Sequence, residues 1–323
     1  MRKPDGTWER VEEYVIDFAL DRMRAGERIA LVTLVQIDGS SPRPLGSQMA
    51  VSEAGEWVGY LSGGCIERAV VAEALAAMEE GRSRRIRYGR GSKYIDIQLP
   101  CGSAIELVLD VTVSEAELAA IDLALGRRQA ATLIVPGGSD TDPHEVFIRH
   151  YYPRRRLIVA GVGPAAIQLA RLGRLSGFES ALYSPDEPTR SAAQEEGVAT
   201  IAIGRSTSPD FRADSRSAIV LMFHDHDWER TLIPAALATP AFYIGAMGSR
   251  RTHRQRFEML ELNGIDPIQL GRIRGPAGLF SGAKTAPDVA ISILAEIMQM
   301  ERGANVPMLS NEQELGEQRT GNR

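Results

Sequence analysis

A cysteine stands directly after two glycines, at the start of a run that predicts a helix. Ser62, Gly63, Gly64 and Cys65 precede an Ala-rich stretch that should be helical to about Met78. Backbone amides in the first turn of a helix lack intrahelical partners, so they attract anions and lower the pKa of a nearby thiol. Glycines let a ligand approach the backbone closely. The pattern predicts a site for an anionic ligand beside a nucleophilic or metal-ligating sulfur.

Two more features of this kind lie in the same half of the chain. A turn-forming Gly-Ser-Ser-Pro-Arg-Pro sequence contains Ser40 and Ser41, and Cys101 is followed by Gly102. Cys65 and Cys101 are the 2 cysteines of the chain, too few for a disulfide framework. Their Gly-rich settings favour reactive or metal-linked thiols, and the alternative is two small buried apolar side chains.

The second half begins with a strand, a glycine-containing turn and a helix. Within LIVAGVGPAAIQLARL, Gly161, Gly163 and Ala166 have the spacing of a Rossmann fingerprint. A dinucleotide site also needs an acid at the tip of the second strand, where this chain has Ser184. Pro164 removes one possible phosphate donor from the first turn of the helix. The pattern therefore predicts a Rossmann-like fold and leaves its ligand open.

Three loops should lie at the carboxyl edge of this sheet, where ligands bind in such folds. The first carries His224 and His226 within a His-Asp-His-Asp sequence, which suggests acid–base chemistry or a metal, or simply a capped helix. The other two combine glycines with basic side chains, which suits phosphate or carboxylate, or a basic exposed helix start. These two loops contain Gly248, Ser249, Arg250, Arg251, Gly278 and Lys284.

The elements around these residues divide into two predicted domains. Residues 1–126 mix helices with short strands, and residues 127–155 form a connecting segment that includes a hairpin. Residues 156–302 alternate strands with helices, which is typical of a doubly wound parallel sheet. The polar residues 303–323 are predicted to be disordered.

Bulk composition excludes several classes of protein. The 323 residues include 44% apolar and 24% charged residues, and the formal net charge is −5. This charge argues against general binding to nucleic acid or to a membrane surface. No segment approaches the roughly 18 apolar residues of a membrane span. Because the first residues also lack an apolar signal core, we expect a cytoplasmic protein.

Long motifs in both halves resemble the XdhC/CoxI family, the xanthine dehydrogenase accessory factors. The N-terminal resemblance rests on GSSPRPLGSQMAV, GYLSGGCIE and a shorter CG-x-x-I-E-L motif around Cys101. The C-terminal resemblance rests on RLIVAGVG, VLMFHDHDWE, FYIGAMGSRRTHRQR and GPAGLFSGAKTAPDVAISILAEI. It implies an N-terminal mixed α/β XdhC/CoxI-type domain followed by a Rossmann-like domain with a doubly wound parallel sheet.

The resemblance also implies a function. Such proteins are chaperones for the molybdenum cofactor: they bind molybdopterin, protect it, support its sulfuration with a cysteine desulfurase and insert it into a molybdenum hydroxylase. It implies no catalytic turnover, a homodimer, and molybdenum held through the pterin, with Cys65 or Cys101 as candidate sulfur-handling or metal-contacting residues. The expected cofactor-binding residues are Ser40, Ser41, Ser62, Gly63, Gly64, Cys65, Cys101, Gly161, Gly163, His224, Gly248, Ser249, Arg250, Arg251, Gly278 and Lys284.

Two other functions remain open on the residues alone. One is an NAD(P)-dependent oxidoreductase that uses the Rossmann-like domain, with His224 or His226 as the acid–base group. The other is a scaffold that joins desulfurase and client through its Gly-rich surfaces. Titration with NAD(H) and NADP(H) separates the first from the chaperone, and capture of a client without cofactor would favour the second.

Overall fold

The chain folds into two compact units. The computed structural model describes residues 11–62, 66–94, 102–137, 146–205, 208–280 and 282–303. Unit 1 contains the described residues up to Pro153, and unit 2 contains those from Arg154 onward.

Unit 1 is built on an antiparallel sheet with helices on both faces. Its described helices are α1 (Val11–Arg24), α2 (Glu67–Glu80) and α3 (Glu115–Gly126). The sheet has the order β3-β2-β1-β5-β4, and β6 pairs with β7 as a separate hairpin. The strands are β1 (Ile29–Asp38), β2 (Gln48–Ser52), β3 (Trp57–Gly59), β4 (Arg84–Gly89), β5 (Ala104–Asp110), β6 (Ala131–Pro136) and β7 (Val146–Tyr151).

The two faces of this sheet bury separate cores because side chains alternate along each strand. Leu31 packs with α1, α3 and the β6–β7 hairpin, whereas Val32 packs with α2 on the opposite face. The hairpin supplies Leu133 and Tyr151 to the first core. The described residues up to Pro153 therefore fold with unit 1.

The strand directions bring several loops to one edge of this sheet. β1 ends at Asp38 opposite the start of β5 at Ala104, and β3 ends at Gly59 opposite Met49 near the start of β2. The Gly39–Ser47 turn, the residues after β3 and the residues before β5 consequently leave the sheet at the same edge. The neighbours of both cysteines lie in these loops. Gly63, Gly64, Cys65 and Cys101 themselves lie outside the described residues.

Unit 2 is a doubly wound parallel sheet, as predicted. The strand order is β10-β9-β8-β11-β12-β13, and every strand pair is parallel. Its strands are β8 (Arg156–Gly161), β9 (Glu179–Ser184), β10 (Ala199–Ala202), β11 (Ser217–Met222), β12 (Tyr243–Ala246) and β13 (Ile273–Arg274). Its helices are α4 (Pro164–Leu175), α5 (Glu187–Glu195), α6 (Glu229–Leu237), α7 (Arg250–Leu262), α8 (Pro267–Leu270) and α9 (Ala286–Gly303).

This strand order places a topological switch point between β8 and β11. Chain connections leave these two strands toward opposite faces, so a crevice opens beyond their carboxyl ends. One face of the sheet packs α6 and α7 through Leu232 and Leu260, and the other packs α4 and α9 through Leu169 and Ile293. In the described part of the chain, no helix is long and apolar enough to cross a membrane.

Candidate functional site

The loops that follow the central strands of unit 2 enclose a cavity of about 860 Å³. Val162 and Pro164 line it from the loop after β8, and His224 lines it from the loop after β11. The turn after β12 adds Gly248, Ser249, Arg250 and Thr252, and the segment that leads into α9 adds Pro276, Ala277, Phe280 and Lys284. The three loops expected at the sheet edge therefore do meet around one cavity, together with the glycine turn.

The glycine turn after β8 requires its two glycines for different reasons. A Cβ on Gly161 would stand 2.7 Å from both the Cβ and the carbonyl oxygen of Met222, so β8 and β11 approach closely there. Gly163 has φ of +85°, which an L side chain rarely adopts. Ala166 is fully buried where α4 packs on the sheet. The turn thus has the backbone form expected of a phosphate-binding loop.

The residues after β9 are hydrogen-bonded to this glycine turn. The Gly163 amide donates to the Thr189 hydroxyl at 3.0 Å, and that hydroxyl donates to Asp186 at 2.6 Å. Asp186 also accepts from the Thr189 amide at 2.9 Å and so caps α5. The Thr189 hydrogen bonds hold the pKa of the Asp186 carboxyl below its usual value. Because Pro164 has no N–H, the first amides of α4 without an acceptor in their own helix are those of Ala165 and Ala166.

A buried ion pair holds the turn after β12 in place. Arg256 on α7 donates twice to Glu229 on α6, at 2.7 and 2.8 Å, and once to the Met247 carbonyl at 2.7 Å. Both side chains of the pair are at most 3% exposed. His253 contacts Arg256 at 3.1 Å, and burial together with this guanidinium lowers the His253 pKa. The Arg256 side chain therefore fixes the backbone directly before Gly248.

The opposite wall of the cavity is attached to α9. The Gly278 amide donates to Glu296 at 2.7 Å, and the Tyr243 hydroxyl donates to the same oxygen at 2.5 Å. Burial and this carboxylate raise the pKa of Tyr243. Ser292 accepts from the Phe280 amide and donates to the Phe280 carbonyl, both at 3.1 Å. Gly278 has φ of +126°, and a Cβ there would stand 2.7 Å from the Ser292 oxygen, so only glycine fits.

In unit 1, a buried carboxylate organises the residues on either side of positions 63–65. Glu67 is 1% exposed, and it accepts from the Leu61 amide at 3.1 Å, the Ser62 amide at 3.0 Å and the Ile66 amide at 3.1 Å. The Ser62 hydroxyl also donates to it. Burial alone would raise the Glu67 pKa, but these hydrogen bonds outweigh burial and lower it. The sequence suggested unpaired amides at this helix start, whereas the Ile66 amide is already bonded within the chain.

The turn that contains Ser40 and Ser41 lies beside the residues that follow Cys101 in the sequence. A Cβ on Gly39 would stand 3.2 Å from the Ser103 Cβ. Ser41 accepts from the Arg43 amide at 3.2 Å, and Ser40 is exposed. These serines therefore stabilise or border a turn at the same sheet edge as Ser62, within unit 1.

The predicted site residues thus do not all lie together. His224, Gly248, Ser249, Arg250 and Lys284 line the cavity of unit 2, and Gly161 and Gly163 flank its lining residue Val162. Gly278 shapes one wall through Glu296, whereas Arg251 is exposed and is not among the lining residues. Ser40, Ser41 and Ser62 belong to unit 1; Gly63, Gly64, Cys65 and Cys101 lie outside the described residues.

The His-Asp-His-Asp sequence does not form a metal site from its described side chains. Asp225 pairs with Arg205, and it accepts from the Asp227 amide at 3.0 Å. Within the described part of the chain, no three His, Cys, Asp or Glu side chains are grouped so that they could hold a metal ion. Of this sequence, His224 reaches the cavity.

Sequence reasoning missed the residues that position the site. Each of these residues forms a hydrogen bond to a backbone group that is distant in sequence or lies across a turn. They are Glu67, Thr189, Arg256 and Glu296. A local signal existed for Thr189, because Asp186 three residues earlier matches a helix cap. The contact of Thr189 with Gly163, 26 residues away, depends on how α5 packs and has no local signal.

Comparisons with known proteins match both units. The chain matches the XdhC Rossmann domain model over residues 157–297 and the XdhC and CoxI family model over residues 22–89. It is 35% identical over 297 residues to the molybdenum cofactor insertion chaperone PaoD of Escherichia coli, covering 88% of this chain and 86% of PaoD.

Two further similarities extend over most of the chain. A Bacillus subtilis protein, named as a probable subunit of xanthine dehydrogenase, is 26% identical over 320 residues, covering 85% of this chain and 94% of that protein. A crystal structure described as a xanthine dehydrogenase from Bacillus halodurans has a TM-score of 0.71 at 21% identity. The match covers 90% of this chain and 98% of the Bacillus halodurans chain, and at this identity it establishes the fold alone.

Proposed function

Because this chain belongs to the XdhC and CoxI family, we propose that it is a chaperone that binds the molybdenum cofactor and delivers it to a molybdenum enzyme. The observation that carries the proposal is the 35% identity to PaoD, which spans 88% of this chain and both of its units. A relative named for insertion of this cofactor supports the same task here.

The chemistry of the unit 2 cavity supports this proposal. Molybdopterin combines a flat pterin ring with a phosphate, so a site for it needs apolar walls and a source of positive charge. The cavity has apolar residues such as Val162 and Phe280, together with Arg250 and Lys284. Its volume of about 860 Å³ lies within the range of small-molecule and cofactor sites.

The proposed role of the two cysteine thiols rests on their positions in the sequence. A molybdenum-bound dithiolene and its terminal sulfur are soft groups, which suit a thiolate as a ligand or sulfur carrier. Cys65 follows Ser62, whose backbone Glu67 holds, and Cys101 precedes Ser103 at the same sheet edge. We therefore assign sulfur handling to Cys65 and Cys101, with a cysteine desulfurase as partner.

The proposed client is a molybdenum hydroxylase of the xanthine dehydrogenase type. The name of the Bacillus subtilis relative refers to such an enzyme, and PaoD is named for insertion of the cofactor. We further propose that the chain works as a homodimer, which rests on the family resemblance.

The direct functional test is activation of a cofactor-free hydroxylase of this type. We expect the cofactor-loaded chain to activate it more completely than free cofactor under air, and Cys65→Ala to abolish this advantage. Cys101→Ala run in parallel separates the roles of the two thiols. Equal activation by the loaded chain and by free cofactor would argue against a chaperone. Unchanged activation by both variants would show that neither thiol is needed.

A further inference from the structure

The cavity of unit 2 carries positive charge that its described lining does not neutralise. Arg250 and Lys284 line it, and none of its described lining residues is Asp or Glu. Neither cation forms an ion pair or hydrogen bond within the described residues. Several other arginines of unit 2 form ion pairs, as in Arg155–Glu301, Arg156–Glu179, Arg171–Glu196 and Arg256–Glu229. The exposed Arg251 and Arg254 have no ion pair among the described residues either, but Arg250 and Lys284 are the ones that line a cavity, where they are available to a ligand.

The same cavity offers backbone donors on the Arg250 side. The first amides of a helix have no intrahelical acceptor, and in α7 Ser249 accepts only the Thr252 amide, at 3.1 Å. The amides of Arg250 and Arg251 thus have no acceptor in their own helix. The 13-residue α7 adds the partial positive charge of its N-terminus to the Arg250 side chain.

The glycine turn on the other side of the cavity has no side-chain cation among its described lining residues, and its backbone donors are the Ala165 and Ala166 amides at the start of α4. Thr189 accepts the hydrogen bond of the Gly163 amide, and Pro164 has no amide hydrogen. Asp186 accepts from Thr189 in turn and places a carboxylate behind this turn. The side-chain cations of the cavity therefore lie at the start of α7 and at Lys284, whereas a dinucleotide fold usually binds its diphosphate at the glycine turn.

Two apolar side chains that line the cavity are partly exposed to solvent, and the ring of a bound ligand would cover them. Val162 is 40% exposed and Phe280 is 49% exposed, and both line the cavity. Phe280 is held by two backbone hydrogen bonds to Ser292, so its exposure belongs to an ordered loop. A flat heterocycle is the ligand type that covers such surfaces while its anionic end reaches a cation.

We propose that this cavity binds a phosphate ester or diphosphate with its anionic group at Arg250, Lys284 and the start of α7, and with its ring against Val162 and Phe280. The glycine turn then contacts the ring end of the ligand instead of the phosphate. This inference deepens the proposed function, and it identifies that phosphate with the phosphate of molybdopterin only if the proposed function holds.

The test is calorimetric titration of the full chain with inorganic pyrophosphate, inorganic phosphate and AMP. We expect binding of pyrophosphate to weaken by roughly 10- to 100-fold in Arg250→Gln and in Lys284→Gln. Arg254→Gln is the matched control, because Arg254 is exposed on the same helix and does not line the cavity. Binding of AMP at least as tight as that of inorganic phosphate would support the ring contact with Val162 and Phe280, and weaker binding of AMP than of inorganic phosphate would overturn that contact.

The outcomes separate this inference from the proposed function. Equal pyrophosphate affinity in Arg250→Gln, Arg254→Gln and the unaltered chain would overturn the anion site, even if molybdopterin co-purifies. Loss of affinity only in the Arg250 and Lys284 variants would support the site, even if no molybdopterin is found. Circular dichroism of each variant checks that the fold is retained.

Discussion

Glu67 shows how one buried residue can fix the backbone on both sides of Cys65, to which we assign sulfur handling. Its carboxylate accepts from Leu61 and Ser62 on one side of positions 63–65 and from Ile66 on the other. A carboxylate is suited to this because it accepts several hydrogen bonds and donates none. The residues flanking Cys65 are therefore held together by a side chain that contacts no proposed ligand.

We expect Glu67→Gln to destabilise the protein by about 1–3 kcal/mol, because one accepting oxygen becomes an NH2 group that faces buried donors. Since the Glu67 pKa is lowered in the fold, its stabilising contribution is present above pH 4.5 and is lost as the pH falls through the folded value. Urea unfolding of both proteins at pH 7 and at lower pH measures the difference, which should shrink in acid.

Glu79→Gln is the matched control for this experiment, because Glu79 is exposed on the same helix. If Glu67→Gln unfolds at the same urea concentration as Glu79→Gln at pH 7, the hydrogen bonds of Glu67 contribute nothing to stability and the account of this loop is wrong.

Individual residues were predictable where the signal is local. Ser114 and Glu117 form a capping box at the start of α3, and their S-x-x-E spacing alone is enough to predict it. The role of Glu67 was not predictable, although Glu67 belongs to the GYLSGGCIE motif. An acid in the first turn of a helix is equally consistent with a favourable surface charge. The burial of Glu67 follows from the packing of Ile66 and Val70 into the core beneath the sheet.

The elements of unit 2 position the cavity through a few long-range contacts. Arg256 on α7 connects the Met247 backbone to Glu229 on α6, and Glu296 on α9 connects Gly278 to Tyr243. A buried charge is costly unless it is paired, and Arg256 and Glu229 pair with each other. The walls of the cavity are consequently held by helices and not by the loops alone.

We predict that the chain does not bind nicotinamide dinucleotides. The turn that would hold the diphosphate is bonded to Thr189, and the tip of β9 carries the buried Ser184 where an acid would hold ribose. Calorimetry with NAD(H) and NADP(H) should give no binding tighter than about 1 mM. Pyrophosphate titrated into the same sample is the positive control. Micromolar affinity for either dinucleotide would favour the oxidoreductase, and it would show that the hydrogen bond from Gly163 to Thr189 does not prevent binding at the glycine turn.

The order of the elements was readable from sequence, and their exact contacts were not. Alternating apolar strands and amphipathic helices predicted the parallel sheet, and the β6–β7 hairpin pairs as expected from its turn-rich centre. The short α8 and β13 were missed, because four and two residues give too little periodicity. Residues 96–99, where the sequence pattern Asp-Ile-Gln-Leu predicts a short strand, and the polar residues beyond 303 lie outside the described residues.

The whole molecule joins an antiparallel unit and a Rossmann-like unit in one chain, and the family models match both. Each unit contributes a different capacity to the proposed function. Unit 1 holds the flanks of the two cysteines at one sheet edge, and unit 2 has a cavity suited to a ring and an anion. A carrier of molybdopterin needs both capacities, because it must hold the pterin and handle its sulfur.

The cofactor content of the chain tests this claim most directly. The full-length protein, purified without air from cells that make molybdenum cofactor, is oxidised and its pterin fluorescence is measured beside its molybdenum content. We predict near-stoichiometric molybdopterin and molybdenum, reduced in an Arg250→Gln/Lys284→Gln variant but not in Arg254→Gln. Protein that carries neither pterin nor molybdenum under these conditions, and takes up none when free cofactor is added, would contradict the account.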